Sequence, residues 1–316
     1  MKRFHCVCGN EVFFDNLFCQ RCGQGLGFQP ETQTIISLTG QRLCEHNELL
    51  QCNWLVQDDN AQCIACRLTR IIPDLSINNN KQRWVKLEAT KRRAFYMLLR
   101  LGLVIPNRSD VKPMLFDFLE DKRSNPNIAL DFVYTGHADG VITLNVAEAD
   151  DSYRSATQEL MNEAYRTLLG HFRHELGHFY WMQLFQDEAS LSEFRALFGD
   201  ERYDYNTALE QFYQTGANQW QTSFITAYAS SHPLEDWAET WAHYLHINET
   251  LETACVYGLV HEASDWLSTW MEFSVILNAL NRSMGTSDPY PFIITETVQH
   301  KLRFIADKVK AVSRLY

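Results

Sequence analysis

The sequence predicts an α+β protein, with a small cysteine-rich module at the front and then a mainly helical domain carrying a small sheet. Three observations predict it. Eight of nine cysteines in the 316-residue chain fall before residue 67. Stretches from about Ser155 to Phe185, over 262–282 and over 295–315 space their apolar residues at helical intervals. The run Val141-Ile142-Thr143-Leu144-Asn145-Val146 is β-branched and follows a turn at Thr135–Gly140, so it reads as a strand.

The cysteines fall into two sets. Cys6-x-Cys8 and Cys19-x2-Cys22 are two knuckles ten residues apart, each followed closely by glycine. Such short spacings hold thiolates at metal-ligand distance and point to a closed tetrathiolate zinc site. Cys63-x2-Cys66 is a third knuckle, which Cys44 and Cys52 complete, with His46 as a substitute ligand. Disulfides are the competing account, but they belong with a secretory signal, and this sequence opens Met1-Lys2-Arg3-Phe4-His5-Cys6. Both zinc sites would be structural, stabilising a module too small to bury a sufficient core. Cys255 lies in apolar helical sequence and reads as a buried free thiol.

The module is expected to span residues 1–78 and the main domain 79–316, parted by a proline and an asparagine run within Arg70–Asn80. A helix is expected over Lys86–Leu101, then extended segments near Met114–Leu119 and Leu130–Tyr134. With 46% hydrophobic residues the chain can bury a substantial core. No apolar run approaches a membrane span and no targeting segment is visible, so a cytoplasmic protein is expected. The formal charge of -11 disfavours nucleic acid as a partner, and each tetrathiolate zinc site would add roughly two more negative charges.

The most informative run is His174-Glu175-Leu176-Gly177-His178, of the form H-E-x-x-H. Four residues make about 1.1 helical turns, so both histidines share a face and can reach one ion. Glu175 is rotated about 100° from His174, where its carboxylate can take a proton from an attacking water. Gly177 is either a tolerated helical glycine or a point where another backbone crosses closely. A third ligand is still required. The short-spaced third histidine is excluded, because Trp181 and Leu184 occupy the glycine and histidine places of H-E-x-x-H-x-x-G-x-x-H.

The leading candidate is Glu235, 57 positions after His178, in the helix start Ser231-His232-Pro233-Leu234-Glu235-Asp236. Glu239 is i+4 from it and can anchor a histidine ligand from behind. Asp236 is the weaker ligand candidate, and an ordinary acidic first turn is the competing account. His137, His171, His232, His243 and His246 lie in or near the motifs; most read as ordinary histidines, with His232 placed to face the site mouth.

With these residues in view, the chain resembles known metallopeptidases. H-E-x-x-H followed by a helix reading E-x-x-A-E occurs in several, including the catalytic domain of anthrax lethal factor. There a tyrosine seven residues before the ligand glutamate assists at the active site, and Tyr228 stands at that offset from Glu235. More closely, the chain resembles a bacterial family of zinc-binding metallopeptidases with an N-terminal zinc ribbon. The segments that carry the likeness are Cys6-Val7-Cys8-Gly9, Cys63–Leu68, Thr135–Gly140, Tyr165–Glu175 and His232–Asp236. The resemblance implies a zincin-like domain in which residues 141–147 form a sheet edge that pairs with extended substrate, the alternative being only a core strand. It also implies one catalytic and two structural zinc ions, with Tyr228 donating to the oxyanion. The function expected is a zinc-dependent peptidase acting on a protein or peptide, with a possible protein partner for the ribbon. The alternatives are a zinc amidase or isopeptidase, and a ribbon-recruited binding protein with a vestigial metal site.

Overall fold

The computed structural model describes residues 1–56, 59–161, 166–261 and 265–313. The chain gathers into two compact units, Met1–Met161 and Asn162–Tyr316. This spatial division does not coincide with the composition shift at residues 70–80.

The first unit begins with two small hairpins, β1 (Phe4–His5) with β2 (Glu11–Val12) and β3 (Leu26–Gln29) with β4 (Thr34–Ser37). A single turn, α1 (Asn47–Leu50), leads to β5 (Thr69–Ile71) and the long helix α2 (Asn80–Arg100). The cysteine module is not free-standing. Phe14 and Phe28 from the module meet Tyr96 of α2, at ring-centre distances of 5.3 and 6.1 Å, and Phe28 also packs on Trp54 at 4.8 Å. The Tyr96 hydroxyl also accepts from Lys2 N at 2.9 Å, and Gln33 Nε2 donates to Leu99 O at 2.8 Å. A module with so little core of its own thus borrows one from the helix that follows.

β5 leaves the module and enters a four-stranded sheet with β6 (Leu115–Leu119), β7 (Gly136–Ala138) and β8 (Val141–Asn145), in the order β5-β6-β8-β7. β6 runs parallel to both β5 and β8, whereas β7 and β8 are antiparallel. Asp139 and Gly140 join β7 to β8 with φ of 47° and 85°, the left-handed pair that a two-residue hairpin turn needs. β8 therefore has a neighbour on each side, which corrects the expectation that it is a free edge for substrate; the outer strands are β5 and β7. Leu130–Tyr134 is not a strand either. Its backbone is satisfied by side chains, with Val133 N donating to Asp121 Oδ2 at 3.0 Å and Asn145 Nδ2 donating to Val133 O at 2.9 Å.

α3 (Asp151–Met161) closes this unit, and the second opens on α4 (Leu168–Leu184). The expected single helix from Ser155 to Phe185 is thus two, with residues 162–165 outside the described residues. Thr167 is extended and caps α4, its side chain accepting from Gly170 N at 3.0 Å, and this cap ends any continuity from α3. There follow α5 (Glu188–Phe198), α6 (Tyr205–Thr215), α7 (Pro233–Val256), α8 (Trp266–Ser283) and α9 (Glu296–Ser313). Parts of the expected 262–282 and 295–315 helices, residues 262–264 and 314–315, lie outside the described residues. Cys255 is exposed rather than buried, near the C-terminal end of α7.

α4 and α7 pack against each other and form the centre of the unit. Tyr180 stacks on Trp241 at 5.1 Å, and Trp237 Nε1 donates to Gly177 O at 2.8 Å. Gly177 marks the closest approach. A Cβ there would lie 2.9 Å from Ala238 Cα and 3.2 Å from Trp241 Cβ, so the helices can touch only because no side chain intervenes. The sign of one substitution separates the two readings of this glycine. Were it merely tolerated, Gly177→Ala would stabilise the helix by about 1 kcal/mol. We expect instead a loss of about 1–3 kcal/mol, the usual overpacking cost, in denaturant unfolding. A variant more stable than the parent contradicts the close crossing.

Candidate metal centres

That crossing positions the histidine motif. α4 carries His174 and His178 on one face, and α7 presents Glu235 from its first turn. Three local features start α7 there. The His232 side chain accepts from Leu234 N at 3.1 Å, Pro233 opens the helix, and Glu235 and Asp236 favour the positive end of its dipole.

The three side chains converge. His174 Nε2 and His178 Nε2 are 3.2 Å apart, His174 Nε2 lies 3.0 Å from Glu235 Oε2, and His178 Nε2 lies 3.2 Å from Glu235 Oε1. Glu235 is only 1% exposed. Ligands around a tetrahedral zinc with bonds of 2.0–2.1 Å stand about 3.3–3.4 Å apart, so the donor set fits that ion. The tautomer fits as well. Glu239 Oε1 lies 2.7 Å from His174 Nδ1, and as a carboxylate it accepts, so the proton sits on Nδ1 and the Nε2 lone pair faces His178 and Glu235. Thr226 Oγ1 donates to Glu239 Oε2 at 2.8 Å and fixes the carboxylate from its other side. Burial opposes ionisation of Glu239, but its bonds to His174 and Thr226 and the charge of His174 and His243 hold it below the usual carboxylate range.

Glu175 is buried beside this cluster, and its Oε2 has no hydrogen-bond partner among the described residues. Burial raises its pKa, the charges of His174 and His178 pull it back only in part, and Glu235 and Glu239 add to the rise. An unpartnered, basic carboxylate is what proton abstraction requires. The Tyr228 ring lies 6.0 Å from the His174 ring. Burial, reinforced by the charge of Glu235, pushes its pKa well above the ordinary phenol value, so the hydroxyl stays protonated and able to donate.

Asp236 points elsewhere. It is buried against Lys301 of α9, Nζ to Oδ2 2.6 Å, and burial lifts it to about 7 in spite of that partner. His232 does not face a site mouth. It is 3% exposed, and since its Nδ1 accepts the capping bond, its Nε2 donates to Tyr203 O at 3.1 Å. Burial lowers His243 to about 4, and its Nδ1 meets the Tyr290 hydroxyl at 2.9 Å. Burial and the neighbouring Arg173 charge also lower His246, which lies 3.1 Å from that guanidinium.

Two contributors carry no motif signal. Thr226 is a lone threonine two positions before Tyr228. Tyr205, on α6, donates its hydroxyl to Glu235 Oε1 at 2.7 Å from 30 residues upstream.

In the first unit the cysteines form two four-sulfur clusters, Cys6, Cys8, Cys19 and Cys22, and Cys44, Cys52, Cys63 and Cys66. Cys6 and Cys22 sulfurs are 3.6 Å apart and Cys8 and Cys19 3.7 Å; Cys52 is 3.8 Å from both Cys63 and Cys66. A tetrahedron with Zn–S bonds of about 2.3 Å has edges of about 3.8 Å, whereas a disulfide needs about 2.05 Å. The spacing is that of metal ligands. His46 stands outside the second set; a hydrogen bond with Cys66 raises its pKa against the opposing effect of burial.

An H-E-x-x-H helix crossed by a glutamate-bearing helix thus brings together a two-histidine, one-carboxylate donor set that could hold a metal ion, in a chain that also carries two four-cysteine clusters. Comparison with known proteins agrees. Residues 80–308 match the family described as "Putative zinc-binding metallo-peptidase", residues 3–77 match a zinc-ribbon domain, and the chain belongs to that family. It is 39% identical to uncharacterised proteins of Mycobacterium tuberculosis and Mycobacterium bovis, over 99% of this chain and 96% of theirs. No solved structure matches it.

Proposed function

We propose that this protein is a zinc-dependent peptidase of a reducing, cytoplasmic compartment, with one catalytic zinc and two structural ones. The observation that carries the reading is the convergence of His174, His178 and Glu235 beside Glu175, whose Oε2 has no hydrogen-bond partner among the described residues. His174, His178 and Glu235 would hold the catalytic ion, which supplies carbonyl polarisation and lowers the pKa of an attacking water from about 15.7 toward about 7. Glu175 accepts the proton at its free oxygen as the water attacks and passes it to the leaving nitrogen. Tyr228, kept protonated by its burial, donates to the developing oxyanion. Glu239 holds His174 in the tautomer whose Nε2 is free to bind. A base retained in this form also speaks against a vestigial site.

The test is digestion of a peptide library by the full chain, read by mass spectrometry of the new termini. Cleavage at backbone amides that stops with a zinc chelator supports the reading. Release of side-chain amides alone would replace it with an amidase. Tyr228→Phe should lower kcat by about 10²–10³ while KM and zinc content hold. Unchanged turnover in that variant makes the tyrosine structural.

A further inference from the structure

Tyr205 has no place in the chemistry above, yet it touches the residue on which the centre depends. It is the first residue of α6, a helix with no buried residue that packs on the short 3-10 turn Tyr228–Ser231. The residue is 37% exposed, and its ring stands edge-on to His232 at 5.1 Å. Its hydroxyl nonetheless reaches the almost fully buried Glu235 and donates to Oε1 at 2.7 Å.

Both Glu235 oxygens face imidazoles, Oε1 toward His178 and Oε2 toward His174. A carboxylate on a flexible side chain can turn about its last bond and exchange these oxygens. A hydrogen bond to one of them removes that freedom and sets which oxygen faces which neighbour. We infer that Tyr205 is a positioning residue of the metal centre, fixing Glu235 for the ion and thereby coupling α6 to metal loading. The inference rests on the proposed role of Glu235 as a ligand. The competing account is simple packing of the Tyr205 ring on His232, which phenylalanine would preserve.

Zinc affinity of the histidine site separates the two. Competition with a chromophoric chelator, run on the full chain with its ribbon sites loaded, should show Tyr205→Phe binding that zinc about 10–100-fold more weakly. A second readout needs no variant: in the parent protein, zinc loading should slow amide exchange across residues 205–215. Unchanged zinc affinity in Tyr205→Phe, or exchange in 205–215 that ignores zinc in the parent, overturns the inference. Should the parent bind no zinc at His174 and His178 at all, the proposed function itself fails, which is a separate result.

Discussion

Glu175→Gln is expected to retain all of its zinc and lose about 10²–10⁴ in turnover. Glutamine keeps the shape of the side chain but cannot accept a proton, so only the transfer is removed. The buried pocket makes the contrast sharp, because Glu175 Oε2 has no hydrogen-bond partner among the described residues whose loss could confuse the result. A neutral amide in place of a buried carboxylate with a raised pKa should not weaken the fold. The measurement is kcat/KM on a peptide identified in the library digestion, together with metal analysis and a melting curve on the same preparation. Turnover near that of the parent would assign the base to another group.

Loss of one buried thiolate should do comparable damage to the fold. Cys63 is 1% exposed and Cys52 is fully buried, and both belong to a cluster in which every cysteine is buried. Structural zinc sites contribute apparent binding energies of about 10–16 kcal/mol, and much of that is folding energy. Cys63→Ser should therefore release one zinc and unfold the module, read as rapid proteolysis before about Ile71. The unfolding should extend toward α2, whose Tyr96 packs into the module's aromatic core. Cys22→Ser should be milder, since Cys22 is exposed, and Cys255→Ser should be silent, since its thiol is exposed and outside both clusters. A Cys63→Ser protein with full zinc content and parental stability would contradict a structural metal there.

Much of the centre was legible in the sequence because its parts lie at helical spacing. His174 and His178 are four apart on one helix and Glu235 and Glu239 four apart on another, so each pair shares a face whatever the tertiary fold. The sequence is compatible with either role for Gly177, and the position of Ala238 decides for the close crossing. What spacing could not show was anything set by long-range contact. Tyr205 meets Glu235 from a different helix, and Thr226 meets Glu239 from a loop. His232 looked like a site residue only because its place in sequence did not reveal that its ring was occupied capping α7. The strand over 141–145 was legible from its β-branched run, but its place inside the sheet depends on β6 and β7 pairing to either side. The break between α3 and α4 depends on a cap at Thr167 that helical periodicity alone does not register.

The central claim is that His174, His178 and Glu235 hold zinc, and one measurement addresses it most directly. Native mass spectrometry of the full chain, purified without chelators, should find three zinc ions in the parent and two in Glu235→Ala, the two cysteine sites remaining loaded. Equal zinc counts in the two proteins would contradict the claim and remove Glu235 from the centre.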